Sequence, residues 1–187
     1  MEIKGYLYKK LTLEMSDDFL CYFDNDAFSD HEEWSACYCL QSHLSREEDA
    51  ECILKEERRR KAEELVRQGV MTGYLVYDGG RVVGWCNAGD KSGYGPVCED
   101  EDFFTDRVEK GKIKVLYCMD IAPGYREGGS RKPSWKEFWQ MQKRKGIPMW
   151  RDIPSLIQNA ATSTEGRSGS MKNTDLSFTE NRIGFSL

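Results

Sequence analysis

Residues 112–129 read Lys-Ile-Lys-Val-Leu-Tyr-Cys-Met-Asp-Ile-Ala-Pro-Gly-Tyr-Arg-Glu-Gly-Gly, and the predicted fold is centred on this stretch. Its apolar run, residues 113–121, is rich in residues that suit a buried strand. Pro123 and Gly124 end that strand, because proline has no backbone N–H to give to a sheet. Arg126 and two glycines follow. A strand that runs into a glycine loop is typical of phosphate sites, since backbone N–H groups can turn toward the anion.

This order of strand, Ala-Pro-Gly-Tyr-Arg and Gly-Gly resembles the acetyl-CoA-binding segment of the GNAT N-acetyltransferases. In that family, the central strand precedes an Arg/Gln-x-x-Gly-x-Gly/Ala loop that opens a helix. Arg126 and Gly129 fall on the first two fixed positions, and Arg131 stands where the family has glycine or alanine. The resemblance implies acetyl-CoA as co-substrate, bound by backbone groups of the strand and the loop. The implied cofactor-binding residues are Cys118, Met119, Ile121, Arg126, Gly128 and Gly129.

Composition narrows the class of protein. The chain has 187 residues, 39% of them apolar, which is enough for one soluble domain with a core. Its net charge of −5 argues against a general nucleic-acid binder, which would carry a basic face. The sequence has no run of about 18 apolar residues, so no membrane span is expected. The N-terminus, Met-Glu-Ile-Lys-Gly-Tyr, lacks the apolar core of a signal peptide, so a cytoplasmic protein is expected.

The seven cysteines are an odd number, which favours free thiols in a reducing compartment. Cys37 and Cys39 form Cys-x-Cys, which differs from the usual Cys-x-x-Cys spacing of metal ligands. The chain has only two histidines, His31 and His43. No metal is therefore expected, and a thiol or metal module built on Cys37 and Cys39 is the third functional hypothesis.

The segments before the central strand alternate between strand and helix patterns. Residues 6–12 predict a first strand, and Ser16 with two following acids predicts a helix over 17–28. Residues 45–68 predict a second helix, opened by a capping box between Ser45 and Glu48 and ended by Gly69.

A hairpin is predicted over residues 72–88, with Asp78-Gly79-Gly80 as its turn and a glycine-containing loop over 87–96 after it. Its return strand, Val-Val-Gly-Trp-Cys-Asn, resembles a bacterial branch of the GNAT family. The order of elements over residues 1–129 is that of the front half of the GNAT fold. The expected fold class is α/β (α+β), with a mixed central sheet flanked by helices and an atypical or incomplete C-terminal part.

Aromatic residues mark a candidate substrate site. Residues 31–43 carry Trp34 and Tyr38 on a short helix or loop, and Trp85 lies on the return strand. These three are the candidate substrate-binding residues for a small-molecule or peptide amine. Core packing is the alternative interpretation of the aromatic cluster.

The last third departs from the family pattern. Residues 130–158 predict an atypical helical segment, with a short helix over 134–145, and residues 159–187 are rich in Ser, Thr, Gly and Asn and predict a disordered tail. Read one nucleotide out of register, residues 139–142 give Leu-Ala-Asp/Asn-Ala and residues 149–154 give Tyr-Val-Glu-Gly-Tyr-Pro. We infer a frame-shifted GNAT second half from about Gly128 on. The alternative is that codon degeneracy supplies such matches by chance.

Two further hypotheses concern chemistry. The resemblance implies direct acetyl transfer to an amine, with Asp120 as a candidate general base by its position alone. The alternative role for Asp120 is that of a polar residue at a strand end. The first functional hypothesis is a GNAT-type acetyltransferase, impaired by its altered last third. The second is a non-catalytic interaction module that keeps half of the fold.

Overall fold

The structure, a computed structural model, describes residues 1–94, 114–126, 133–144 and 150–152. These residues belong to one compact unit, Met1–Pro154. The strands are β1 (Glu2–Ile3), β2 (Tyr6–Lys10), β3 (Gly73–Asp78), β4 (Arg81–Asp90), β5 (Lys114–Ile121) and β6 (Trp150–Asp152). The helices are α1 (Ser16–Asn25), α2 (Arg46–Glu51), α3 (Lys55–Arg67), α4 (Pro123–Arg126) and α5 (Trp135–Arg144).

The six strands form one sheet in chain order, β1 to β6. Neighbours are antiparallel from β1 to β5, whereas β5 and β6 are parallel. The sheet is therefore mixed, as expected. The sequence prediction of a central strand is confirmed, because β5 lies between β4 and β6 and is neither helical nor at an edge.

Helices cover both faces of the sheet. One core cluster joins the sheet to α1 and α3 through residues such as Phe19, Leu65 and Trp85. The second joins the opposite face to α5 through residues such as Val83 and Phe138. Successive strand residues alternate between the two clusters because side chains along a strand point to opposite faces. The short helix predicted over 134–145 is confirmed as α5.

The single helix predicted over 45–68 is wrong, because the structure has two helices with a break between them. The capping box at the start is confirmed: the Ser45 N–H donates to Glu48 Oε2 (2.9 Å) and the Glu48 N–H donates to Ser45 Oγ (3.1 Å). A second start follows, where the Leu54 N–H donates to Glu57 Oε2 (3.1 Å). The glutamate satisfies an N–H group that a continuous helix would use internally.

The hairpin prediction is confirmed, and its turn glycines take positive φ angles, 53° at Gly79 and 97° at Gly80. Gly69 also ends α3 with a positive φ of 68°. The loop predicted from residue 87 begins later, because β4 runs on to Asp90. Residues 87–90 pair with β5, from Asn87↔Cys118 to Asp90↔Lys114. A local sequence pattern does not reveal a partner strand that is distant in the chain.

Candidate active site

The second half of β5 is the accessible part of the central strand. Val115, Leu116 and Tyr117 are buried, whereas residues 118–121 are only half-buried. Among the described residues, β6 pairs with β5 only at Lys114–Leu116. A strand segment with one neighbour missing leaves backbone N–H and C=O groups that an extended ligand can pair with. Among the described residues, the half-buried end of β5 is therefore a place where a ligand can reach the central strand.

A β-bulge lies at the boundary between these two halves. Cys118 pairs with Asn87 and Leu116 pairs with Ala88, so Tyr117 is the extra residue of β5. The Tyr117 ring stacks on Tyr94, with centroids 6.1 Å apart and planes 13° apart. Bulges occur next to active sites because they re-aim side chains and bend the strand.

Asp120 lies in this accessible half, and two donors hold its carboxylate. The Tyr22 hydroxyl donates to Oδ2 at 2.6 Å, and Arg126 Nη2 donates to Oδ1 at 3.3 Å. Burial raises the pKa of Asp120, and the Tyr22 hydrogen bond and the Arg126 charge oppose that rise. The side chain keeps 11% of its surface exposed. This carboxylate can accept a proton at the strand end, and its role as base stays a prediction.

The Arg126 side chain folds back onto the protein. Its Nε donates to the Ile121 carbonyl (2.7 Å), its Nη2 to the Ala27 carbonyl (3.0 Å) and its Nη1 to Asp30 (2.7 Å). The guanidinium thus ties α4 to the segment after α1. Because these acceptors occupy the guanidinium, the side chain of Arg126 is not open to a phosphate. Gly128 and Gly129, the other loop residues of that prediction, lie outside the described residues.

The aromatic candidates for substrate binding lie at different depths. Tyr38 and Trp85 are 0% exposed and belong to the larger core cluster. Trp34 is half-buried and stacks on His31, with centroids 4.3 Å apart. The positions of Tyr38 and Trp85 agree with the core-packing interpretation. Trp34 is the member of the set whose surface is open to a ligand.

Sequence reasoning missed a buried polar network beside the bulge. Asn87, which is fully buried, donates through Nδ2 to Ser42 Oγ (2.8 Å) and accepts at Oδ1 from the Tyr94 hydroxyl (2.8 Å). The same Nδ2 lies 3.3 Å from His43 Nε2. No local sequence signal marks such a network, because its members are brought together only by the fold. Tyr22 was missed for the same reason.

Three of the cysteines, Cys37, Cys39 and Cys118, lie near the Asn87 network. Cys118 packs against the core cluster that contains Cys39, and Cys37 lies close enough for its charge to raise the pKa of the Cys118 thiol. In the part of the chain that the structure describes, no group of three or more His, Cys, Asp or Glu side chains is placed to hold a metal ion. No helix within the same residues is both long and apolar enough to span a bilayer.

The chain matches no protein-family model and no curated protein. It is similar to solved GNAT acetyltransferases. A ribosomal-protein-alanine N-acetyltransferase from Brucella melitensis biovar Abortus 2308 aligns over 93% of this chain and 99% of its own, with 10% identity and a TM-score of 0.46. The aminoglycoside N-acetyltransferase AAC(6')-Iy in complex with CoA aligns over 91% and 94%, with 10% identity and a TM-score of 0.44.

A third similar structure, the GCN5-related N-acetyltransferase from Ralstonia eutropha JMP134, aligns over 92% of this chain and 98% of its own. Its identity is 10% and its TM-score 0.43. At TM-scores of this size, the case for a function rests on the geometry of this chain.

Proposed function

We propose that the chain is an acetyl-CoA-dependent N-acetyltransferase of the GNAT type, acting on an amine of a small molecule or peptide. The observation that carries the proposal is the half-buried end of β5, which leads through α4 into the glycine segment. A central strand whose carboxyl end lacks a second neighbour among the described residues suits an extended amide-bearing ligand. A glycine segment directly after it suits the diphosphate of the same ligand.

Acetyl-CoA fits the residue types present. Backbone groups of Cys118, Met119 and Ile121 would bind the pantetheine amides as a neighbouring strand does. Backbone N–H groups of Arg126, Gly128 and Gly129 would receive the diphosphate. When bound, acetyl-CoA supplies a thioester as acyl donor.

Asp120 would take a proton from the attacking amine. A carboxylate whose pKa is raised by burial is a stronger base than an exposed one. Tyr22 and Arg126 would hold the carboxylate in one orientation, because each donates to a different oxygen. This arrangement orients the base before the substrate arrives, which is the usual way in which positioned groups lower a barrier.

The last third of the sequence leads us to expect weak binding by the chain as written. Pro133 lacks a backbone N–H, and the helix that should follow the glycine loop departs from the family pattern. Each lost N–H to an anion costs on the order of 1.5–3 kcal/mol. The loss of two would weaken binding roughly a hundredfold or more.

Calorimetry with two ligands tests the proposal. Acetyl-CoA and acetyl-pantetheine share the contacts expected at β5, and only acetyl-CoA carries the diphosphate. A version with the reading frame restored after Gly128 should bind acetyl-CoA much more tightly than acetyl-pantetheine and release CoA thiol with an amine. The chain as written should bind the two ligands nearly equally and weakly. No acetyl-CoA binding by the restored chain would overturn the proposal, and a micromolar dissociation constant for the present chain would overturn the expected impairment.

Two variants of the restored chain test the base. Asp120→Asn should keep acetyl-CoA binding and lose most of the transfer activity. Asp17→Asn, at an exposed acid in the first turn of α1, is the matched control and should keep both. Full activity of Asp120→Asn would remove Asp120 from the mechanism and leave the cofactor assignment intact.

A non-catalytic interaction module is the second candidate, and one observation favours it. Ile53 and Leu54, between α2 and α3, are 75% and 59% exposed. Adjacent exposed apolar side chains of this size occur at protein–protein contacts. This candidate predicts no acetyl-CoA binding by either version of the chain.

A further inference from the structure

Cys39 and Cys118 come from distant parts of the chain and meet beside the β-bulge. Cys118 packs against the core cluster that contains Cys39, and it pairs across the sheet with Asn87. Asn87 Nδ2 in turn donates to Cys39 Sγ at 3.3 Å. Cys39 is 4% exposed, whereas Cys118 is half-buried.

The surroundings of Cys39 favour its thiolate form. The Asn87 amide donates to its sulfur at 3.3 Å. Hydrogen bonding by Cys118 and Asn87 lowers the pKa of the Cys39 thiol despite its burial.

The backbone at Tyr38 and Cys39 is in an unfavourable conformation. Tyr38 and Cys39 both take positive φ angles, 41° and 56°, although neither is glycine. Such backbone conformations are uncommon and persist where the surroundings fix them. The Tyr38 hydroxyl donates to Asp24 at 2.6 Å, and this bond anchors the strained pair.

We propose that Cys39 and Cys118 are a peroxide-sensitive thiol pair that closes reversibly into a disulfide. The activity of the protein does not enter this inference, which rests on Asn87: its side chain lies 3.3 Å from Cys39 Sγ and its backbone pairs with Cys118. Cys37 is the competing partner for Cys39, but burial raises the pKa of its thiol to about 12 and makes it a poor nucleophile.

The reaction balances with hydrogen peroxide as the oxidant. The Cys39 thiolate attacks one peroxide oxygen, so an S–O bond forms, the O–O bond breaks and hydroxide leaves, to be protonated to water. The sulfur of Cys118 then attacks the sulfenic sulfur of Cys39. An S–S bond forms, the S–O bond breaks, and the proton of the Cys118 thiol leaves with the hydroxide as a second water. Two thiols are oxidised and one peroxide is reduced to two waters.

A peptide map of the full-length protein tests the pair. Trypsin releases Cys39 within peptide 11–46 and Cys118 within peptide 115–126. After peroxide treatment and alkylation, the two peptides should appear joined, two hydrogens lighter than their sum, and should separate on reduction. A link confined to peptide 11–46, or the formation of sulfinic acid at Cys39 without a link, would overturn the proposal.

Variants separate the roles of the two sulfurs. Cys118→Ser should lose the link and leave a sulfenic acid at Cys39 that dimedone labels, whereas Cys39→Ser should lose both the link and the label. Cys21→Ser, at an exposed thiol in the same tryptic peptide as Cys39, is the matched control and should keep the link in full. A link that survives in Cys118→Ser would overturn the pairing. The wild-type peptide map decides the question even if a variant fails to fold.

Discussion

At the scale of single residues, the carboxylate of Asp120 shows how one group can be both structural and reactive. Burial raises its pKa, while Tyr22 and Arg126 keep the charged form available. The charge of Asp120 in turn adds to the burial that raises the pKa of Tyr22 well above its ordinary value. The pKa of each group therefore depends on the other group, so a change at Tyr22 should shift the pKa of Asp120.

Tyr22→Phe should destabilise the protein by about 1.5–3 kcal/mol, since it removes a 2.6 Å hydrogen bond to a buried carboxylate. The pKa of Asp120 should also rise, because the lost donor favoured the charged form. Urea unfolding and an NMR titration of the Asp120 carboxyl measure the two effects. Tyr77→Phe is the matched control, because its hydroxyl donates to Asp18 (2.7 Å) away from β5. An unchanged pKa of Asp120 in Tyr22→Phe would contradict the arrangement.

His43 should make stability depend on pH. Burial lowers the pKa of this histidine from 6.5 to about 4. Between these two pH values, His43 binds a proton in the unfolded chain but not in the folded protein. The contribution of neutral His43 to the free energy of unfolding is therefore present above pH 6.5. It is lost as pH falls toward 4, by roughly 3 kcal/mol. Urea unfolding between pH 7 and pH 4 measures the slope, and His43→Phe should flatten it. An equal slope in the variant would assign the effect to other groups.

At the scale of elements, α5 is the longest element described in the last third of the chain. Its buried side is aromatic: Trp135, Phe138 and Trp139. Phe138 stacks on Tyr8, with centroids 4.9 Å apart, and meets the edge of Tyr74 at 4.8 Å. A helix with one apolar face gains most of its stability from such docking rather than from its own hydrogen bonds.

Phe138→Ala should therefore cost about 3–5 kcal/mol, because it removes a ring that is 1% exposed from between two others. Gln140→Ala, at an exposed position of the same helix, should change stability by less than about 0.5 kcal/mol. Thermal and urea unfolding of both variants give the comparison. Equal, small effects would mean that α5 does not dock on the sheet in solution.

At the scale of the whole molecule, the members of both core clusters that the structure describes all precede residue 145. The compact unit ends at Pro154, and the tail predicted from composition follows it. The aromatic face of α5 packs with the residues as written, so this part of the last third forms a helix without any change of frame. The frame-shift hypothesis itself stays a prediction. The codons for Arg126 to Gly129 in the gene are where it can be checked.

Truncation tests this division of the chain. A chain that ends after residue 158 should melt within about 2 °C of the full chain, because it keeps both described core clusters. A chain that ends after residue 132 should lose cooperative unfolding, since it lacks α5 and the aromatic half of the second core. Calorimetry of the two measures the difference. A large drop in melting temperature for the longer one would show that residues 159–187 contribute to the core.

The sequence predicted those features whose physics is local. The capping box of Ser45, the turn at Gly79 and Gly80, the stop at Gly69 and the apolar run of β5 each depend on neighbours a few residues away. The confirmed elements are of this kind. The break at Cys52–Leu54 was missed although it is also local, because the helical period on either side conceals a second capping glutamate.

The sequence by itself determined the order of the elements and the central place of β5, because apolar periodicity and turn residues act over a few positions. Only the tertiary structure decided what surrounds each side chain. Arg126 folds back onto Asp120 and Asp30, Tyr38 and Trp85 enter the core, and Cys39 meets Cys118 across 78 intervening positions. Burial, pKa and partner choice depend on groups that are far apart in the chain and close in the sheet, so no local pattern encodes them.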